Sequence, residues 1–287
     1  MKTFLLPFLY ISLCTWANHT AYANTWLDIS AGDFLMGSSK QQIEEGYRIS
    51  QKGYGHDGVR EAHWFDGESP RLIAHTTAFK IMQTPVTQAE YAVFIQDTGH
   101  PVPFVSPKQW QSYHLAHPYS HVRPYLWLNN QYPHHRANHP IVLVNIEDAR
   151  AYAHWLSKKT GRTLQLPSEK QWEKAMRGVK GLLYPWGNTY HADYLNNADK
   201  GGANTSALGT LPVGSFPQAA SPYGVLDGAG QVFEWTRDIN NQKAIVKGGS
   251  WDDYGGVCRP AAHHQRPVTL KHILIGFRLV DLSTTAR

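Results

Sequence analysis

Asp252, Asp253, Cys258, His263 and His264 fall within one short stretch near the C-terminus, and Arg259 and Arg266 add positive charge to it. Carboxylate, thiolate and imidazole in that proximity can hold a borderline or hard transition ion, with iron and copper as the candidates. A carboxylate beside a histidine can instead move a proton on a bound substrate. Cys258 next to Arg259 would have a lowered pKa and could act as a nucleophile. Trp251, Arg259 and Arg266 are the candidates for holding the substrate. The same residues also allow a purely structural arrangement, in which Asp252 or Asp253 pairs with Arg259 or Arg278 and the two histidines pack at the surface.

A second concentration of chemistry lies in residues 97–140. Seven of the sixteen histidines sit there (His100, His114, His117, His121, His134, His135 and His139), among prolines and aromatics. A long loop-like excursion of this kind is usually functional. His114 and His117 are spaced so that one helical turn could aim both rings at an ion. Pro118, Pro124 and Pro133 argue the other way, for solvated rim residues.

The elements that must position these groups show themselves mainly by their starts. Thr87 with Glu90 reads as a capping box before Tyr91, Phe94 and Ile95, with Gly99 as the stop. Asn145 can cap a helix that carries Ile146, Ala149, Ala153 and Leu156 on one face and ends before Gly161. Ser168 with Gln171 opens a third, through Trp172, Ala175 and Met176, closed by Gly178. Beyond these little reads as long helix. The strand-like runs are short, at Ala244–Lys247 and Ile273–Val280, and turn signals fill the remainder. The pattern predicts an irregular α+β domain from Asn24 to the end.

The 287 residues are 42% apolar and 17% charged, which disfavours disorder and coiled coil. Ten Trp, fifteen Tyr, 24 Gly and 17 Pro describe a turn-rich chain whose rings carry the core. The formal charge is +5, but Lys and Arg are scattered, so nucleic-acid binding gains no support. Met1-Lys2, an apolar run from Phe4 to Ala17 and Ala21-Tyr22-Ala23 together read as a secretory signal peptide over residues 1–23. Cleavage would leave Asn24 first and a periplasmic or secreted protein with no membrane span. It would also remove Cys14, leaving Cys258 as the one thiol and no internal disulfide.

Several motifs in order carry a resemblance. They run from Phe34-Leu35-Met36-Gly37-Ser38 through Glu68-Ser69-Pro70, Pro85-Val86-Thr87, Leu166-Pro167-Ser168-Glu169 and Tyr184-Pro185-Trp186-Gly187-Asn188. Then come Ser221-Pro222-Tyr223-Gly224, Phe233-Glu234-Trp235-Thr236, Gly248-Gly249-Ser250-Trp251 and Gly276-Phe277-Arg278. The chain resembles the sulfatase-modifying-factor, or formylglycine-generating-enzyme-like, family over nearly all of its mature length. The resemblance implies a single α+β domain of the formylglycine-generating-enzyme/C-type-lectin-like kind, low in regular secondary structure and often held by calcium.

In the formylglycine oxidases of that family, two thiolates placed three and eight residues after the Ser of Gly-Gly-Ser bind copper. Cys258 matches the second position, but the first is Asp253, a hard oxygen donor poorly suited to Cu(I). The resemblance thus argues against ordinary formylglycine generation. For calcium it points to Asn196 and Asn197 at one site and Gln231 with Glu234 at the other. Both sets are weakened: Thr205 stands where an acidic ligand is expected, and Gln231 replaces the usual Asn. The functional expectation is an exported, divergent oxidoreductase acting on a peptide or small metabolite. The alternative is a non-catalytic module that binds a peptide, glycan or protein partner.

Overall fold

The computed structural model describes residues 24–68, 70–200 and 209–283. The expected signal segment and Thr205 therefore lie outside the described residues. The elements follow in chain order. They begin with β1 (Trp26–Ile29), β2 (Gly32–Met36), α1 (Lys40–Tyr54), α2 (Gly58–Glu61), β3 (Leu72–Thr76), β4 (Phe79–Met82), α3 (Gln88–Thr98) and α4 (Pro107–Ser112). They continue with α5 (Ile146–Thr160), β5 (Leu164–Gln165), α6 (Glu169–Arg177), β6 (Phe233–Asn240), β7 (Lys243–Lys247), β8 (His263–Pro267), β9 (Ile275–Gly276) and β10 (Val280–Asp281). The architecture is α+β with short strands, as the sequence predicts.

Three small sheets result. The first has strand order β1-β4-β10-β5, the second is the β2-β3 pair, and the third runs β8-β7-β6-β9. The predicted strand over Ile273–Val280 is broken, because β9 pairs with β6 while β10 joins β4. Between them the chain hands its carbonyls elsewhere: Phe277 O accepts from Val86 N–H at 2.9 Å and Leu279 O from Met82 N–H at 3.0 Å. Hydrophobicity alone cannot show where a buried run changes partner.

The three helices with sequence caps form where expected, each with a reciprocal capping box at Thr87, Asn145 or Ser168. α3 and α5 pack their rings into the main core, where Tyr91 and Tyr152 stack at 5.6 Å and Phe277 meets Tyr152 edge-on at 5.4 Å. One long helix was not anticipated. α1 has its own capping box, Ser39 with Gln42, but a polar sequence interrupted by Gly46. That glycine is required by packing: a Cβ there would collide with the Arg259 guanidinium. Residues 97–140 are also better anchored than a loop-like excursion suggests. Val105, Trp110, Val122, Tyr125 and Trp127 are all buried in the main core, and α4 plus two 3-10 turns give the segment local order.

Antiparallel β7 and β8 pair with Lys247 opposite His263. Everything between them, residues 248–262, is thus a loop clamped at its stem. Gly249 has φ +72°, and a Cβ there would lie 2.7 Å from Cys258 Cα, so the two limbs of the loop touch backbone to backbone. Buried ion pairs fix the loop to its surroundings. Arg259 makes a bidentate pair with Glu68 at 2.7 and 2.9 Å, and Ser38 Oγ donates to Glu68 at 2.7 Å. Glu173 joins Arg177 at 2.6 Å to Lys247 at 2.9 Å at the stem.

Candidate functional site

The loop core is built around Ser250. Its hydroxyl donates to the Asp253 carboxylate at 2.5 Å, while the Cys258 thiol lies 3.8 Å from the carbonyls of both Ser250 and Asp253. Asp253 is thereby brought beside Cys258. Burial pushes the Asp253 carboxyl up to about 6, and the neighbouring charge of Asp252 adds to this; Ser250 and Arg266 pull the other way without reversing it.

Cys258 is fully buried, and burial, reinforced by Asp253 and Asp199, drives its thiol well above the ordinary range. The expected activation by Arg259 does not occur. Arg259 points away, has no exposed surface, pairs with Glu68 and stacks over the Phe65 ring at 4.3 Å. It is a structural cation and cannot touch a substrate from there. A thiol so placed should react with a disulfide reagent at least ~100-fold more slowly in the native protein than after denaturation, because attack needs an accessible thiolate. Labelling at equal rates in both states would contradict this placement.

The histidines of β8 leave the loop core. His263 Nδ1 lies 3.2 Å from Glu169, whose carboxyl is held at about 2 despite burial by Lys247 and His263. His264 packs edge-on against Trp64 at 5.1 Å and Phe233 at 5.4 Å. Burial, with Arg266 and His263 nearby, presses it down to about 3, so it is neutral at physiological pH. Among the described residues no group of three or more His, Cys, Asp and Glu side chains converges as a metal site. The five candidates therefore do not form the iron or copper centre that their spacing suggested. Among the described residues Cys258 is the one thiol, so a two-thiolate copper site does not fit either.

Calcium also fails to fit the four candidates as a set. Glu234 accepts from the Arg278 guanidinium at 2.6 and 2.7 Å and from Trp172 Nε1 at 2.9 Å. Gln231 Oε1 takes N–H groups from Asn196 at 2.8 Å and Leu211 at 3.0 Å. Asn197 donates to Tyr190 and Asp199, and its own Oδ1 is buried without a partner among the described residues. These residues tie turns together, and among the described residues the Glu234 and Gln231 side-chain oxygens already accept from protein donors, which leaves this set short of the about six to eight oxygens that a hard cation takes.

What the sequence missed is the meeting of the two histidine-bearing regions. His117 Nε2 lies 3.1 Å from Asp252 Oδ2. Its backbone is held by Trp110 Nε1, which donates to His117 O at 2.7 Å. The His117 ring stands 6.1 Å from Trp251, 5.8 Å from His121 and 5.9 Å from His272. His272 Nδ1 accepts from Leu274 N–H at 3.1 Å, and burial beside His117 and Arg266 presses it down to about 3. Trp251 is only 4% exposed, and among the described residues its Nε1–H has no partner. His114 takes a left-handed backbone (φ 51°). Nothing local in the sequence marks the 117–252 pairing, because the partners are far apart along the chain.

His117, Asp252 and Trp251, with Asp253 next along the chain, thus form a mixed acid–base cluster, able to hold a polar ligand and exchange protons with it. Residues 16–282 match the sulfatase-modifying factor enzyme 1-like domain. The chain is 29% identical over 262 residues to hercynine oxygenase of Mycolicibacterium smegmatis, covering 78% of this chain and 58% of that protein. It is 29% identical over 237 residues to the inactive C-alpha-formylglycine-generating enzyme 2 of Mus musculus, covering 72% and 73% of the two chains. Among solved structures it resembles PvdO of Pseudomonas aeruginosa, with a TM-score of 0.66, 22% identity and coverage of 89% and 93%. The fold is therefore of the formylglycine-generating-enzyme kind, and the chain belongs to the sulfatase-modifying factor enzyme 1-like family.

Proposed function

We propose that this protein is an exported, divergent oxidoreductase of the family, acting on a peptide or small metabolite at the 248–262 loop. It is not an ordinary formylglycine-generating oxidase. The observation that carries the reading is Asp253, whose carboxyl is bound to Ser250 and whose carbonyl faces the lone Cys258 thiol. A carboxyl there supplies proton transfer in place of soft-metal ligation. The similarity to a protein named hercynine oxygenase supports the oxidative class, although the chain spans only 58% of that relative. The expected leader at residues 1–23 supports export to the periplasm or beyond.

Incubation with a Cys-x-Pro-x-Arg peptide and copper in air should leave the peptide thiol mass unchanged. Conversion to the aldehyde would overturn the reading. With a substrate that does drive oxygen uptake, Asp253→Asn should lower kcat ~100-fold or more, the usual loss on removing a general acid or base.

A second reading is favoured by one observation: Cys258, at the position of the family's second copper-binding thiolate, is fully buried. The protein would then be a non-catalytic module that binds a peptide, glycan or protein partner, in keeping with its likeness to a relative named inactive. That reading requires tight binding and no turnover.

A further inference from the structure

A cavity of about 350 Å³ opens between the start of α3, the end of α5 and the β1-β4-β10-β5 sheet. That volume lies within the range of pockets that hold small molecules. None of its lining residues belongs to the 248–262 loop or to the His117–Asp252 pair. Strand pairing builds its apolar wall: Trp26 stands opposite Met82 in the β1–β4 register, and Leu156 from α5 and Leu164 from β5 complete it.

Two charged groups line this cavity without pairing with each other. The hydrogen bonds that Glu90 accepts within the fold, from Thr87 N–H at 2.8 Å and the Thr87 hydroxyl at 2.9 Å, both end on Oε2. Among the described residues no cation forms an ion pair with it. Burial pushes its carboxyl up, and Thr87 and the Asn24 side chain pull it back without reversing the shift. Arg162 lines the same cavity with a side chain that is 41% exposed, which puts it toward the mouth. Its guanidinium rests over the Trp26 ring at 5.4 Å and its Nε is 3.7 Å from Asp281 Oδ2, while among the described residues its two Nη groups donate no hydrogen bond. A carboxylate desolvated without a counter-cation is costly, and a ligand that supplies the cation removes the cost.

We propose that this cavity binds a free amino acid with an apolar side chain, its ammonium on Glu90 Oε1, its carboxylate on Arg162 at the mouth and its side chain against Trp26, Met82, Leu156 and Leu164. The guanidinium fork matches the two oxygens of a carboxylate, and an ammonium gives Glu90 the cation that the fold withholds. A zwitterion answers both charges at once. A simple amine would set a second cation beside Arg162, and a simple acid a second carboxylate beside Glu90. This site goes beyond the proposed function and does not depend on it.

The test uses the folded protein and the probes L-leucine, N-acetyl-L-leucine and L-leucinamide at matched ionic strength, with affinity read by calorimetry. Leucine should bind about tenfold or more tightly than either derivative, since one lacks the ammonium and the other the carboxylate. Glu90→Gln should weaken leucine binding about tenfold and leave the unfolding midpoint unchanged, because glutamine serves equally at that position of a capping box. Arg162→Gln should erase the preference for leucine over leucinamide, and Arg162→Lys should retain part of it, because a point charge lacks the fork. No binding of leucine, equal affinity for the probes, unchanged leucine affinity in Glu90→Gln, or an unchanged preference in Arg162→Gln would each overturn the proposal. So would leucine binding seen only after acetylation of a chain processed to Asn24, which would assign Glu90 to the protein's own terminal ammonium.

Discussion

Arg259→Met should lower the unfolding free energy by ~3–5 kcal/mol, the range seen when one partner of a buried ion pair is removed. The side chain has no exposed surface and satisfies both oxygens of Glu68, which is itself buried. Without it, Glu68 keeps only the Ser38 hydroxyl as a donor and must either protonate or carry an unpaired charge. Three segments distant in the chain lose their joint: the Glu68 turn, α1 through Gly46, and the 248–262 loop. Denaturant unfolding followed by fluorescence measures the loss. A double variant, Arg259→Met with Glu68→Leu, should recover much of it, since apolar replacements of a whole buried pair are often neutral. A single variant of wild-type stability with altered ligand binding would restore the substrate-contact role expected from the sequence.

Asp253→Asn should move stability in the opposite direction, and in a pH-dependent way. The folded carboxyl titrates near 6, against an ordinary value of 3.8. Between those values the folded protein holds a proton that the unfolded chain has released, so stability falls as pH rises from about 4 to about 6 and then levels off. Asparagine can still accept the Ser250 hydroxyl but carries no charge. The variant should therefore be more stable than the parent by up to about 3 kcal/mol above pH 6, with the advantage vanishing near pH 4. Asp227, also raised to about 6, chiefly by burial, titrates alike in both proteins and cancels in the difference. A stability gain that persists unchanged at pH 4 would mean that Asp253 is not destabilised by its charge. Coupled with the expected fall in kcat, the result would make Asp253 a residue kept for its chemistry at the expense of stability.

The buried pairs also explain why the loop can carry strained and uncompensated groups. Lys247 at the stem is fully buried yet held by Glu173 at 2.9 Å and Glu169 at 3.2 Å, and Glu169 in turn reaches His263. The stem and the limb carrying Arg259 are therefore rigid.

The sequence by itself determined what depends on near neighbours. Capping boxes couple residues three apart, so the starts of α3, α5 and α6 could be read directly at Thr87, Asn145 and Ser168. The same signature stood at Ser39 and Gln42, but α1 went unread because Gly46 and a polar face weaken its helical pattern. Only contact with Arg259 across the fold explains that glycine. The ordered series of motifs also sufficed to name the family and the α+β fold, and the replacement of one thiolate by Asp253 was visible at once.

Tertiary structure alone decided which charges meet. It gave Arg259 to Glu68, Glu234 to Arg278 and His263 to Glu169, removing them from chemistry. It brought His117 from the excursion to Asp252 and, among the described residues, left the Trp251 indole N–H without an acceptor. A long-range pair is set by the balance of desolvation against Coulomb attraction once the backbone has folded, and residue spacing carries no record of it.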